Sequence, residues 1–375
     1  MSAAFRRALG AAAALAGLML ATPSAAQSPE ARIDAAASSA RFAGVVLAAK
    51  GDSVIVRKSY DSPIPMGMLS DYEEPFDLGI RWRWASVTKQ VIAVLIMQQV
   101  EVGRIDLDAP LSRYLPRFAS ANADKATVRQ LLKHQAGLPN PDDSPRDGDA
   151  LPAYYGNGYT GSRDPITGYC AGKPKAAPGG NWEYNNCDFI VAGALLEAVT
   201  GTPWPQLVAE RIATPLKSET LNTSVLPDRL PYQFEIGEFG GRVPERPFDL
   251  SAFGASGGLF GTIDDLWQFD RALMTGKLIG VEALAQLWQS SPEQGFIAMG
   301  QWVYEVPIAG CDAPVRIVER RGSIGGTAVR NFILPDKDMV VIAFTNRGAF
   351  DSGFGEPWQG KGFSHDLISA AACPA

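Results

Sequence analysis

Residues 87–102 read VTKQVIAVLIMQQVEV, a run of helical length that is nearly apolar on all sides. A helix without a polar face is stable only when other elements cover it on every side, so it belongs at the centre of a domain. Gly103 is a plausible stop for it. Whatever this chain folds into is built around that helix. Lys89 near its start is hard to explain as a solvated surface charge.

The elements around it differ at the two ends of the chain. Phe42 to Tyr60 reads as a β-hairpin: Val45-Val46-Leu47-Ala48 and Val54-Ile55-Val56 are strand-like, and Lys50-Gly51-Asp52-Ser53 is turn chemistry. Residues 61–83 read as loop. The middle of the chain is helical. A short helix spans Thr127 to His134, with Thr127 as its N-cap. Longer ones follow at Asp188 to Thr200, ended by Gly201, at Trp204 to Ile212, and at Thr262 to Met274, whose first turn carries Asp264-Asp265 as the helix dipole favours. Residues 139–181 show no sustained period and many Pro, Gly, Asp and Tyr, so a long surface loop is expected. Near the C-terminus, Gln301 to Val306, Val315 to Glu319, Ala328 to Leu334 and Met339 to Phe344 form an antiparallel meander. The economical fold is α+β: one antiparallel sheet from the N- and C-terminal segments, flanked by helices, with a helical region inserted between them. The sheet part is expected at about 31–115 and 292–375, and the helical part at about 116–291.

The first 26 residues read as a targeting segment. Arg6 and Arg7 precede an apolar run, Ala8 to Ala21, and Ser24-Ala25-Ala26 offers small residues for cleavage. The run is too short to span a bilayer, and no cysteine follows it to carry lipid. A signal peptide over 1–26 and a secreted or periplasmic mature chain over 27–375, without an integral membrane anchor, are expected. The net charge of −6, with no Lys/Arg-rich block, argues against nucleic acid as a partner. Four cysteines remain: Cys170, Cys187, Cys311 and Cys373. An even number in an exported chain suggests two disulfides. Three pairings are possible, of which Cys170–Cys187 with Cys311–Cys373 is the most local. A metal site is the rival reading, but no Cys-x-x-Cys occurs, and only His134 and His365 are at hand.

Ser86-Val87-Thr88-Lys89 is the one Ser-x-x-Lys in the chain, and it opens the apolar helix. Side chains three apart lie one turn apart on one face. A Ser hydroxyl needs a base to take its proton. A desolvated Lys has a depressed pKa and can be that base, and the helix N-terminus favours a developing oxyanion. The bland reading is an N-cap Ser with a snorkelling Lys. Tyr184-Asn185-Asn186 adds a phenol to relay a proton and amides to orient Lys89 or a substrate carbonyl. Tyr155-Gly156-Asn157 repeats the Tyr-x-Asn spacing without a helix behind it and is set aside. Gly254-Ala255-Ser256-Gly257-Gly258 satisfies the nucleophile-elbow pattern, which leaves an esterase using Ser256 as an alternative. It lacks the strand before and the helix directly after that such an elbow needs.

These segments, in this order, resemble the serine β-lactamase and penicillin-binding-protein superfamily, in particular the class C β-lactamase and D-alanyl-D-alanine carboxypeptidase-like branch. The stretches that carry the resemblance are FAGVVLAAKGDSVIV, WRWASVTKQVIAVLI, VEVGRIDLDAPLSRYLP, ATVRQLLKHQAGLP, PGGNWEYNNCDFIVAGALLEAVTG, GASGGLFGTIDDLWQFDRAL and NFILPDKDMVVIAFTN, most of residues 42–346. The resemblance implies a β-lactamase/transpeptidase-like fold. It also implies acyl transfer on an amide, lactam or ester, with Ser86, Lys89 and Tyr184 catalytic and no metal or cofactor. The third motif of that family, Lys-Thr-Gly or His-x-Gly, corresponds here to Arg320-Arg321-Gly322-Ser323, a departure. Arg320 is then expected to grip a substrate carboxylate in bidentate fashion without shuttling protons. Gly322 is expected to let substrate backbone approach, and Ser323 to share the oxyanion hole with Ser86. Asn186 is expected to bind substrate. His134 reads as a structural residue, Trp182 and Trp302 as pocket walls or plain packing, and Asn346 as a further residue facing the site. The expected partner is a small-molecule or peptide substrate, a β-lactam or peptidoglycan fragment among them. The alternatives are a penicillin- or peptidoglycan-binding protein with little turnover and a non-catalytic scaffold.

Overall fold

In the computed structural model the described residues are 27–60, 77–146, 151–223, 234–236, 242–245, 247–348 and 353–374. The proposed signal peptide lies outside them. Helix α1 (Pro29–Ala40) leads into the hairpin β1 (Gly44–Lys50) and β2 (Ser53–Tyr60). There follow β3 (Trp82–Arg83), α2 (Thr88–Glu101), α3 (Val128–Leu132), α4 (Asn186–Thr200), α5 (Trp204–Val208) and α6 (Thr214–Leu216). Next come β4 (Phe234–Ile236), β5 (Arg242–Pro244), β6 (Phe260–Gly261), α7 (Ile263–Met274) and α8 (Val281–Leu287). The chain closes with β7 (Ile297–Ala298), β8 (Gln301–Val306), β9 (Val315–Ile324), β10 (Thr327–Leu334), β11 (Met339–Thr345) and α9 (Phe363–Ala372).

Seven strands form one antiparallel sheet in the order β2-β1-β11-β10-β9-β8-β7. Strand β1, from the N-terminal segment, pairs with β11 from the other end of the chain, which is the architecture expected. Side chains alternate between faces along each strand. Val45, Leu47 and Ala49 pack into one core with α2, α4 and α7. Val46 and Ala48 pack into another with α1 and α9. Every residue of α2 from Thr88 to Met97 is buried, as its all-round apolar sequence requires. The caps also follow the sequence: Thr127 and Thr262 each close a capping box, with Gln130 and Asp265.

Two features depart from the expectation. Trp82–Arg83, read as loop, pairs with Phe260–Gly261. Strand β9 runs five residues past Glu319, because β10 pairs with it as far as Ile324. The partner on its other side stops sooner, since β8 pairs only with Val315–Glu319. Among the described residues, the edge of β9 from Arg320 to Ile324 therefore faces the helical half with no strand on it. Both local disulfides form, Cys170–Cys187 and Cys311–Cys373. The first ties the long loop to the first turn of α4. Among the described residues no helix is long and apolar enough to cross a membrane.

Candidate active site

Ser86 sits in a 3-10 turn, Ala85–Val87, that runs directly into α2. It is the one residue between Trp82 and Met97 that is not buried. The residue before it, Ala85, has φ 47°, a left-handed conformation that costs a non-glycine residue on the order of 1–2 kcal/mol. Strain of this kind persists only where the surroundings over-determine it. Here Trp84 is held by Leu259, whose carbonyl accepts from the Trp84 N–H at 2.9 Å, and the turn is pressed against β9. A Cβ on Gly322 would lie 2.6 Å from the Trp84 carbonyl oxygen and 3.0 Å from the Ser86 nitrogen. The missing side chain of Gly322 makes room for the protein's own Trp84–Ser86.

Lys89 is completely buried. Its ammonium donates to Ser86 Oγ at 3.1 Å, Asn186 Oδ1 at 2.7 Å and the Ser256 carbonyl oxygen at 2.8 Å. Three protons meet three acceptors. Burial pushes the Lys89 pKa down to about 8; Tyr184 opposes the shift and the Arg320 charge adds to it. Tyr184 Oη lies 2.6 Å from Ser86 Oγ and accepts from Arg320 Nη2 at 2.9 Å. Burial alone would raise the phenol, but the Lys89 and Arg320 charges outweigh it and hold Tyr184 below its ordinary value. The two cations also lie over the Tyr184 ring, at 4.8 and 5.3 Å from its centre.

Arg320 is on the sheet face that meets Ser86 and is fully buried. Its Nε donates to the Ser86 carbonyl at 2.7 Å and its Nη2 to Tyr184, which leaves Nη1 unpartnered. Two of its three nitrogens are thus engaged inside the protein, on the Ser86 turn and the Tyr184 phenol. Arg321 faces the other way, ion-paired with Glu319 at 2.8 Å and with Glu356. Ser323 is exposed on the unpaired edge of β9. Asn186 is buried and turned toward Lys89, with its Nδ2 donating to Tyr155 Oη at 2.8 Å and to Asp142 at 3.3 Å. It orients the lysine. Asn346 is buried directly after β11.

Several supporting residues escaped the sequence reading. Asn140 donates to the Tyr184 carbonyl at 3.0 Å and accepts from the Asn186 N–H at 3.3 Å, so it fixes both residues by their backbone. Tyr155, set aside as a decoy, stacks on Phe253 at 4.1 Å and donates to Asp142 Oδ1 at 2.7 Å beneath Asn186. Ser256 takes part through its carbonyl. Its hydroxyl is buried and donates to the Phe253 carbonyl at 2.6 Å, so the Ser256 nucleophile is corrected. In the glycine-rich turn there Gly254 adopts φ 45°, ψ −134°, a conformation reserved for glycine. His134 packs against the Tyr184 ring at 4.8 Å and Nδ1 lies 3.2 Å from Asp188. Burial, with Arg320 and Lys89 nearby, holds its imidazole well below the usual histidine value, hence neutral, in keeping with a structural role.

A family model described as "Beta-lactamase" matches residues 29–360. The chain is 25% identical to the D-alanyl-D-alanine-carboxypeptidase/endopeptidase AmpH of Escherichia coli (strain K12) over 71% of this chain and 70% of that one. It is 29% identical to the esterase EstB of Burkholderia gladioli over 49% of this chain and 55% of that one. It spans 61% of the length of a Bacillus subtilis (strain 168) relative. The structure of a D-stereospecific amidohydrolase from Streptomyces sp. superposes with a TM-score of 0.71 at 24% identity, covering 92% of this chain and 99% of the other.

Proposed function

Because this chain belongs to the Beta-lactamase family, we propose that it is an exported serine hydrolase in which Ser86 is the nucleophile and Lys89 its base. The family and its relatives support a serine hydrolase acting through an acyl-enzyme. The observation that carries the residue assignment is the meeting at one oxygen: Ser86 Oγ is within hydrogen-bond distance of both Lys89 Nζ and Tyr184 Oη. A base and a phenol on one hydroxyl supply a route for its proton.

In the proposed reaction Lys89, as the neutral amine, takes the Ser86 proton while Oγ bonds to the carbonyl carbon of an amide, lactam or ester. The Ser86 and Ser323 N–H groups receive the oxyanion. Tyr184 protonates the departing atom as its bond to the acyl carbon breaks. Water then attacks the acyl carbon and gives a proton to the Tyr184 phenolate, and as the bond from that carbon to Oγ breaks Lys89 returns its proton to Ser86 and the acid departs. Arg320 keeps the phenol polarised and the Ser86 turn in place. Export rests on the N-terminal pattern and accords with two disulfides, which persist in oxidising compartments.

The test is hydrolysis of a panel of β-lactams, D-Ala-D-Ala peptides and short-chain esters by the wild type and Ser86→Ala. Turnover in the wild type, lost in the variant, is expected. An adduct that forms without product release would instead identify a penicillin-binding protein with little turnover.

A further inference from the structure

Beside the open edge of β9 lies an aromatic chamber that the Ser86 chemistry leaves unused. Trp182, Phe296, Trp302, Tyr304 and Trp358 surround a cavity of about 540 Å³ with Arg321 among them, the size of a small-molecule site. Two of these rings stand in solvent: Phe296 is 39% exposed and Trp358 53%. Phe296 also has φ 62°, so a bulky residue is held at the rim in a conformation that disfavours it.

The charge around the cavity selects the occupant. Arg321 is paired with two carboxylates, Glu319 and Glu356, so its guanidinium has no charge to spare for an anionic group. Its guanidinium already lies over the rings of Trp302 and Trp358, at 5.4 and 5.8 Å, where a bound cation would otherwise sit. Glu305, the remaining charge at the cavity, is exposed and screened by water. The chamber therefore fits an uncharged aromatic group. Its place selects which part of a substrate that is. Trp302 is a shared wall, stacked 6.5 Å from the Tyr184 ring and 5.2 Å from the Arg320 guanidinium. Tyr184 Oη, 2.6 Å from Ser86 Oγ, is the hydroxyl that meets the departing atom, so the group expelled past Tyr184 moves toward Trp302.

We propose that this chamber is the leaving-group subsite, and that the preferred substrates are esters or amides that release a neutral aryl-bearing alcohol or amine. The inference rests on the Ser86 reading: the bond from Ser86 Oγ to the acyl carbon forms, the bond from that carbon to the alcohol or amine breaks, and the departing atom takes the Tyr184 proton while Lys89 holds the serine proton. The experiment compares kcat/KM for benzyl acetate, methyl acetate, acetylcholine and methyl phenylacetate. Wild type should favour benzyl over methyl acetate by about tenfold, the discrimination an apolar pocket provides. Trp358→Ala and Phe296→Gly, the latter suited to its left-handed backbone, should each remove most of that ratio by raising KM for benzyl acetate. An unchanged ratio in both variants overturns the assignment, as does a preference for acetylcholine, or one for the ring of methyl phenylacetate. Those outcomes with an inactive Ser86→Ala refute the chamber alone, whereas full hydrolysis by Ser86→Ala removes the nucleophile and this inference with it.

Discussion

The acceptors around Lys89 come from three parts of the chain: Ser86 one turn away, Asn186 at the start of α4, and the carbonyl of Ser256. This cage and its burial leave the lysine with a pKa near 8, and the pH dependence follows from the sign. Below that value Lys89 is an ammonium and cannot take the serine proton; above it the amine is free. kcat/KM is therefore expected to rise with pH and level off above about 8. Tyr184 raises the Lys89 value, so Tyr184→Phe should move the rising limb to lower pH while cutting the rate by roughly 10²- to 10⁴-fold. Full pH–rate profiles of both proteins check this, and a limb that moves to higher pH contradicts it. Ser86, Lys89 and Tyr184 were legible because their chemistry is in their side chains and their spacing is local or familial. Asn140 and Ser256 were not, because they act on or through backbone groups. Arg320 was legible as a position but not as a contact, since its partners are set by packing across the sheet.

At the scale of elements, α2 was readable from its apolar sequence alone. The end of β9 was not: Arg320-Arg321-Gly322-Ser323 looks polar, yet it is strand because β10 pairs along it and Gly322 yields space to the Ser86 turn. Gly322→Ala should push that turn off the sheet and lower kcat/KM by on the order of 10²-fold, the cost of a small misplacement, with circular dichroism unchanged. Wild-type activity in that variant would show that the turn tolerates displacement. Helix α1 passed unnoticed because it buries only Ile33 and Ala37, too few large side chains to mark a period. The long loop is stapled to α4 by Cys170–Cys187. Replacing both with Ala should destabilise the fold by about 2–4 kcal/mol, measured by urea unfolding.

Across the whole molecule, the sheet closes only when β1 finds β11, a pairing between the two ends of the chain. The back of the sheet is covered by α1 and α9, which share an apolar core and are also joined by a charged side chain. Arg32 donates to the carbonyls of Ser369, Ala370 and Cys373 at the end of α9, where unpaired carbonyls and the dipole favour a cation. Arg32→Ala should cost about 1–3 kcal/mol in thermal unfolding without altering kcat. The sheet with an inserted helical region was legible as a pattern. How the halves meet at Ser86 was not, since it depends on contacts between segments far apart in sequence. The central claim remains that Ser86 is the acylated residue. Intact-mass and peptide mapping after treatment with a fluorophosphonate or a penicillin test it directly. One adduct is expected, on the peptide that contains Ser86, abolished in Ser86→Ala and retained in Ser256→Ala. An adduct that persists in Ser86→Ala, or no labelling of the wild type, would contradict it.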